Sequence, residues 1–376
     1  MSEALQVKKP RQSNLELFRI ITMFFIVAHH YVVNSGLTAV DGPIYSNLLS
    51  GKSIFLLLFG AFGKIGINCF VFITGYFMCT SQITLRKFLK LFFEVMFYRV
   101  VIYGIFLATG YTPFSLTEFI KVFLPIQKLG GGFTAAFLVF YLFIPFVNVL
   151  IKNLNERQHF LLLALVSCVY ILLGSIPSFS VTFNYATWFI ILYIISSYIR
   201  LYPKKLFGNK KFWIIASVLS VVACVASVIF GIVLMHKMGI NVVYYFVADS
   251  NKLLAVITSL SLFMMFKNLN IKYSKIINIM GATTFGVLLI HANSATMREW
   301  LWKDLLDNVG AYGTDYLYAH AIISVVVIYI ICTFIDIGRI NFIEKPFFKL
   351  YDKIENKIVD TYKKFENKFC AKFNIK

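Results

Sequence analysis

The sequence predicts an all-α protein: a polytopic membrane helical bundle of about ten transmembrane helices, followed by a cytoplasmic amphipathic C-terminal helix. Three observations carry this. Of 376 residues, 59% are hydrophobic and only 14% charged, too little charge to cover a soluble domain. Apolar runs of about 20 residues, the length that crosses a bilayer core, recur along the chain. Forty Phe and 21 Tyr suit a surface that faces lipid and its interfaces. A formal net charge of +19 would suggest nucleic acid in a soluble protein. Beside these runs, basic loops on the inner side explain it, and no nucleic-acid partner is expected.

The runs place spans at 15–33, 54–79, 87–109, 133–151, 159–176, 183–201, 212–236, 252–267, 276–292 and 318–338. The second contains Gly60, Gly63, Lys64 and Gly66, which predicts a kink or a stretch outside the bilayer; the ninth is short. Lys and Arg fall mainly in alternate loops, so the positive-inside rule predicts a multi-pass protein of the cell membrane with both termini cytoplasmic. Ser13-x-x-Glu16 reads as a capping box opening the first helix. The polar start has no small-residue cleavage site and does not read as a signal peptide. The organisation is an N-terminal arm over 1–14, a membrane domain over 15–340 and a basic tail over 341–376.

In the tail, Phe347, Tyr351, Ile354, Ile358, Tyr362, Phe365, Phe369 and Phe373 step by three or four, with lysines on the other face. That pattern favours a helix lying on an anionic membrane leaflet over a helix packed on a partner. The six cysteines are scattered, with no CxxC or Cys/His cluster, so neither a structural metal nor a disulfide framework is expected. Gly130-Gly131-Gly132 lacks a following Lys-Ser/Thr and reads as a chain-reversing loop.

Charge inside the spans is the chemical signal, because an ionisable group in hydrocarbon is costly and usually functional. Arg19 and His30 both lie in the first span. Eleven residues at about 100° each return to within about 20° of the start, so the two share a face, about 16 Å apart along the axis. His29 points elsewhere. A neutral imidazole at His30 can take a proton from a hydroxyl as its oxygen attacks a carbonyl; packing against a polar neighbour is the alternative.

The third span opens with Arg86, Lys87 and Lys90. These cations either anchor the helix at the cytoplasmic surface or clamp the phosphates of a cytosolic cofactor such as coenzyme A. Deeper in that span, Glu94 can pair with Lys90 at i,i+4, and Arg99 can bind substrate or hold the fold through Glu94 or Asp336. His291 ends the ninth span at a depth near that of His30, as a polar anchor or a substrate contact.

At these residues the chain resembles the acyltransferase 3 family of integral membrane acyltransferases that modify cell-surface glycans. The Arg19–His30 pair is similar to that family's arginine, ten residues, histidine signature. Gly63 to Met78, with Thr74-Gly75-Tyr76, resembles its second-helix signature. Tyr141 to Asn148 resembles its Tyr…Pro-Phe-Asn span, Phe285 to His291 its Ile-His span, and Ile343-Glu344-Lys345-Pro346 its terminal motif. Lys87-x-x-Lys90 stands where the family has Arg-x-x-Arg, a weaker pair for bidentate phosphate binding. Phe133 stands near a position where the family often has Trp, and a fused hydrolase-like extracellular domain is not expected.

The resemblance implies an O-acyltransferase that moves an acyl group, acetyl foremost, from cytosolic acyl-CoA to a sugar hydroxyl of a cell-wall, capsular or exopolysaccharide unit, a glycan or lipid-linked acceptor. His30 would be the general base, Arg19 would fix its site or the donor, and Arg86, Lys87 and Lys90 would hold coenzyme A. Arg99, Glu94, Tyr141 and His291 are the candidate substrate contacts, with no metal among the site residues. A lipid-linked oligosaccharide flippase and a polysaccharide polymerase are the rival readings; the first would use the same buried charges to carry substrate.

Overall fold

A computed structural model describes residues 11–127, 132–179, 181–355 and 357, and every regular element among them is helical. The first span is α1 (Ser13–Val33). A short far-face helix, α2 (Pro43–Ser46), leads into the second span, α3 (Gly51–Phe59) and α4 (Gly63–Met78). The third span is α5 (Leu85–Ala108), followed by the short α6 (Leu116–Val122), and the fourth is α7 (Phe133–Asn153). Helix α8 (Glu156–Ser167) continues through irregular turns to Ser175 as the fifth. Then come α9 (Tyr185–Leu201), α10 (Lys210–Met238) and α11 (Leu253–Lys267). The ninth span is split into α12 (Lys275–Ala282) and α13 (Thr284–His291). The far-face helices α14 (Ala295–Glu299) and α15 (Asn308–Tyr312) precede the tenth span, α16 (Leu317–Arg339).

Each expected span is therefore helical. Seven helical runs among the described residues are long and apolar enough to cross a membrane alone, and α9 and α11 are shorter apolar helices. The α12–α13 unit is long and apolar enough only together with Ala295–Leu305, into which the chain turns by 95°.

The expected kink in the second span lies between Phe59 and Gly63, and its filler is His29. The His29 ring sits where a Cβ at Gly63 would be, so only glycine fits there. Its Nδ1 donates to the Gly60 carbonyl at 2.7 Å, satisfying a group that the break frees from the helix. The capping box expected at Ser13 does not form. Helix α1 starts after Gln12, and the Ser13 Oγ instead accepts from the Ser274 N–H at 2.9 Å and the Asn278 amide at 3.2 Å. Glu16 turns to Arg11, at 3.2 Å. A neighbouring helix start outcompetes the local cap.

Helix α1 is the centre of the bundle, touching α3, α4, α11, α12, α13 and α16. Around one side of it the contacts close a ring, running α1–α4–α9–α7–α5–α13 and back to α1. Asn148 of the Tyr…Pro-Phe-Asn motif pins this ring, donating to the Met78 carbonyl at 3.1 Å and accepting from the Tyr193 hydroxyl at 2.6 Å. Gly75 lets α4 press against Tyr193 and Ser196.

The start of the tail departs from expectation. Helix runs from Leu317 to Glu355 across residue 340, and the first turns of the stripe touch α5, while Phe347 and Ile354 stay about half exposed. Phe347 stacks on Phe93 with ring centroids 4.5 Å apart, and Phe348 is buried beneath the Arg86 guanidinium. The rest of the stripe, Ile358 to Phe373, lies outside the described residues, as do the Gly130-Gly131 turn and residues 1–10.

Candidate active site

His30 lies on α1 one helical turn before Asn34 and is partly exposed. Its Nδ1 lies 2.9 Å from Nε2 of His291, at the end of α13. His291 is fully buried, and its Nδ1 lies 2.6 Å from the Val287 carbonyl. A carbonyl only accepts, so His291 carries its proton on Nδ1 and presents a lone pair at Nε2. With both rings neutral, His30 must then donate from Nδ1, which leaves its Nε2 unprotonated. The bond sequence thus fixes one tautomer of His30 and sets a basic nitrogen free.

His291 was expected against substrate, but burial and two engaged nitrogens place it behind His30. Trp302 walls it in, with its indole edge-on to both His291 (6.4 Å) and Tyr31 (5.9 Å). Tyr31 in turn bonds His320 at 2.7 Å.

Arg19 lies toward the basic face on the same side of α1. Glu16 is its nearest carboxylate, 4.0 Å from Nε and shared with Arg11. Nε is buried without a hydrogen-bond partner, while the side chain as a whole stays 25% exposed. A guanidinium with unused donors suits an incoming anion or carbonyl.

The remaining candidates fall into a different arrangement. Arg339 of α16 donates to Asp336 at 2.7 Å and Glu344 at 2.6 Å, and pairs with Glu94 at 3.0 Å. Lys90 reaches Glu344 at 2.7 Å, and the Tyr98 hydroxyl donates to Asp336 at 2.7 Å. The expected Lys90–Glu94 pair is thus replaced: both residues turn to carboxylate and guanidinium groups brought by α16 and the helix beyond it. Glu94 sits inside this ionic cluster, not against a substrate pocket. Gly286 makes room for it, since a Cβ there would overlap the Asp336 carboxylate.

At the start of α5, Arg86 makes a bidentate pair with Asp352 at 2.5 and 2.7 Å, and Lys87 bonds the Gln82 carbonyl at 2.5 Å. Arg99 reaches neither Glu94 nor Asp336. It donates to the carbonyls of Lys121 and Val122 at 2.5 and 2.8 Å, capping α6. It also lines a hollow of about 150 Å³ with Tyr103, Asn293 and Thr296. Tyr141 is half-buried beside Phe88, centroids 6.4 Å apart.

A family model described as an acyltransferase domain matches residues 12–335. The chain belongs to the acyltransferase 3 family. It is a membrane transferase that acts on acyl groups, and the match takes in Arg19, His30, the start of α5 and His291. No curated protein and no solved structure matches the chain. Within this acyltransferase, sequence reasoning missed Arg298, Trp302 and Arg339. Arg339 had a usable signal, since Asp336 and Arg339 fall at i,i+3 in an otherwise apolar run. The candidate metal-binding clusters number none among the described residues.

Proposed function

We propose that this acyltransferase moves an acyl group, acetyl foremost, from acyl-CoA on the basic, cytoplasmic face to a hydroxyl of a cell-surface glycan at the far face. The observation that carries it is the free Nε2 of His30. In this reading Nε2 takes the acceptor's hydroxyl proton as that oxygen attacks the thioester carbonyl. The imidazolium keeps its Nδ1–H on His291, which holds the ring in place. The C–S bond then breaks, and the proton passes from Nε2 to the coenzyme A thiolate, so that ester and free thiol are the products.

The donor enters from the start of α5. The ion pair that Arg86 makes, to Asp352, is exposed, and exposed ion pairs contribute about 0–1 kcal/mol each; Lys87 holds a backbone carbonyl, so phosphates displace both contacts readily. Lys90 is held by the buried Glu344 and has a mainly structural part. The thioester passes Arg19, about 16 Å along α1 from His30, and the Arg19 guanidinium steadies the donor on the way.

The test is acetyl-CoA turnover by purified protein in nanodiscs, read as free thiol, with mass spectrometry of surface glycans from cells with and without the chain. Thiol release and a glycan mass gain of one acetyl group are expected. A flippase or polymerase would release no thiol.

A further inference from the structure

One turn beyond His30, the far face holds an open hollow of about 410 Å³, whose polar lining is Asn34, Thr38, Arg298, Lys303 and the acidic Glu299. Small-molecule sites span roughly 300–1,000 Å³. Asn34 lies four residues past His30, so it shares the His30 side of α1 about 6 Å further on. The opposite wall comes from the chain after His291, which turns back over the site at the 95° bend.

That bend delivers Arg298. It is partly buried, and among the described residues its guanidinium makes no hydrogen bond and no salt bridge. The acidic groups that follow it in sequence are already engaged. Glu299 pairs with Lys303 at 3.2 Å, Asp304 accepts from Tyr111, and Asp307 caps the Gly310 N–H at 2.9 Å. Arg298 is also near enough to act electrostatically on both His30 and His291. A partly buried guanidinium with no counter-ion has donors to spare for an incoming anion.

We propose that this hollow is the acceptor subsite and that the acceptor sugar carries an anionic group, a carboxylate or a phosphate, which Arg298 grips while a neighbouring hydroxyl reaches His30. This rests on the acyltransferase reading and adds the charge of the substrate to it. A planar guanidinium takes either anion bidentately.

The experiment titrates the full chain in nanodiscs with three probes: methyl β-glucuronide, glucose 1-phosphate and the neutral methyl β-glucoside. An anionic probe is expected to bind about tenfold tighter than the glucoside, the order of one charge-assisted contact. A preference for the glucuronide marks a uronic acid acceptor, and a preference for the phosphate marks a lipid-linked or phosphorylated one. Arg298→Gln is expected to remove the preference and Arg298→Lys to keep part of it. Lys303→Gln is expected to change it less, because Glu299 already holds that lysine. Equal or undetectable binding of all three probes by the unaltered protein overturns the proposal, whatever the variants do. Thiol release from acetyl-CoA is followed in parallel with each sugar and without sugar. Release with no anion preference rejects only the anionic acceptor; no release under any condition rejects the transferase reading beneath it.

Discussion

The bundle buries two polar assemblies, one in each half, and they are built in opposite ways. Around Arg339, every charged group has an ionic partner: Asp336, Glu94 and Glu344 surround the guanidinium, and Lys90 closes the outside. Around His30, hydrogen bonds run in one direction, from His30 to His291 to the Val287 carbonyl, and stop with one nitrogen unused. The first assembly directs its interactions inward and ties α5 to α16. The second holds a reactive atom in position with a spare lone pair. Both look alike in sequence, as charge or imidazole in an apolar run; what separates them is ionic pairing, complete around Arg339 and absent around His30.

The sharpest way to break this comparison is to remove the centre of each. His30→Ala is expected to lower acyl transfer by about 10²–10⁴-fold, the range for a general base, with its melting temperature in detergent nearly unchanged. Arg339→Ala is expected to do the reverse first, costing about 3–5 kcal/mol because it leaves Asp336 and Glu94 without an ionic partner and Glu344 with Lys90 alone. A stable Arg339→Ala protein, or an unstable His30→Ala one, would dissolve the distinction.

His291→Phe keeps the ring volume and removes the acceptor for the His30 proton. It is expected to lower kcat about 10–100-fold, the usual loss for an outer partner that orients a functional imidazole, while KM for acyl-CoA stays put. A raised KM with normal kcat would return His291 to the substrate.

A smaller effect is expected at the start of α5. Lys87→Ala should raise KM for acyl-CoA several-fold, and added salt should mimic it, because exposed charge contacts are screened beyond about 10 Å at 0.1 M. Lys90→Ala should lower stability more than donor affinity, since its partner Glu344 is buried. Asp352→Asn should lower KM by freeing Arg86. Equal kinetic effects of the two lysines would put Lys90 back among the donor contacts.

The smallest effect belongs to His29→Ala. Its loss leaves the Gly60 carbonyl unpaired, costing about 1 kcal/mol, and transfer should change little. A dead His29→Ala with an active His30→Ala would reverse the assignment of the base.

The spans were legible because the bilayer imposes a length on apolar runs, and helical geometry put Arg19 and His30 on one side of α1. The level of His291 also followed from counting residues. What spacing could not supply was the partner of each charge. Lys90 had a carboxylate four residues away and took Glu344 instead; Ser13 had a local glutamate and took α12. In each case the winning neighbour comes from the far end of the chain, where tertiary packing decides. Arg298 was visible as a loop cation, but the 95° turn that brings it over the site leaves no mark in composition.

The hydrogen bond between His30 and His291 joins residues 261 positions apart, and this has a meaning in time. The ribosome makes His30 almost at once and His291 near the end. At roughly 5–20 residues per second, the interval is on the order of 13–50 s. During it, the first helix sits in the membrane with its imidazole free to take either tautomer and with no hollow above it. Arg339 arrives later still. A chain interrupted anywhere before its ninth span therefore displays the family's signature arginine and histidine yet has no partner to fix the His30 tautomer.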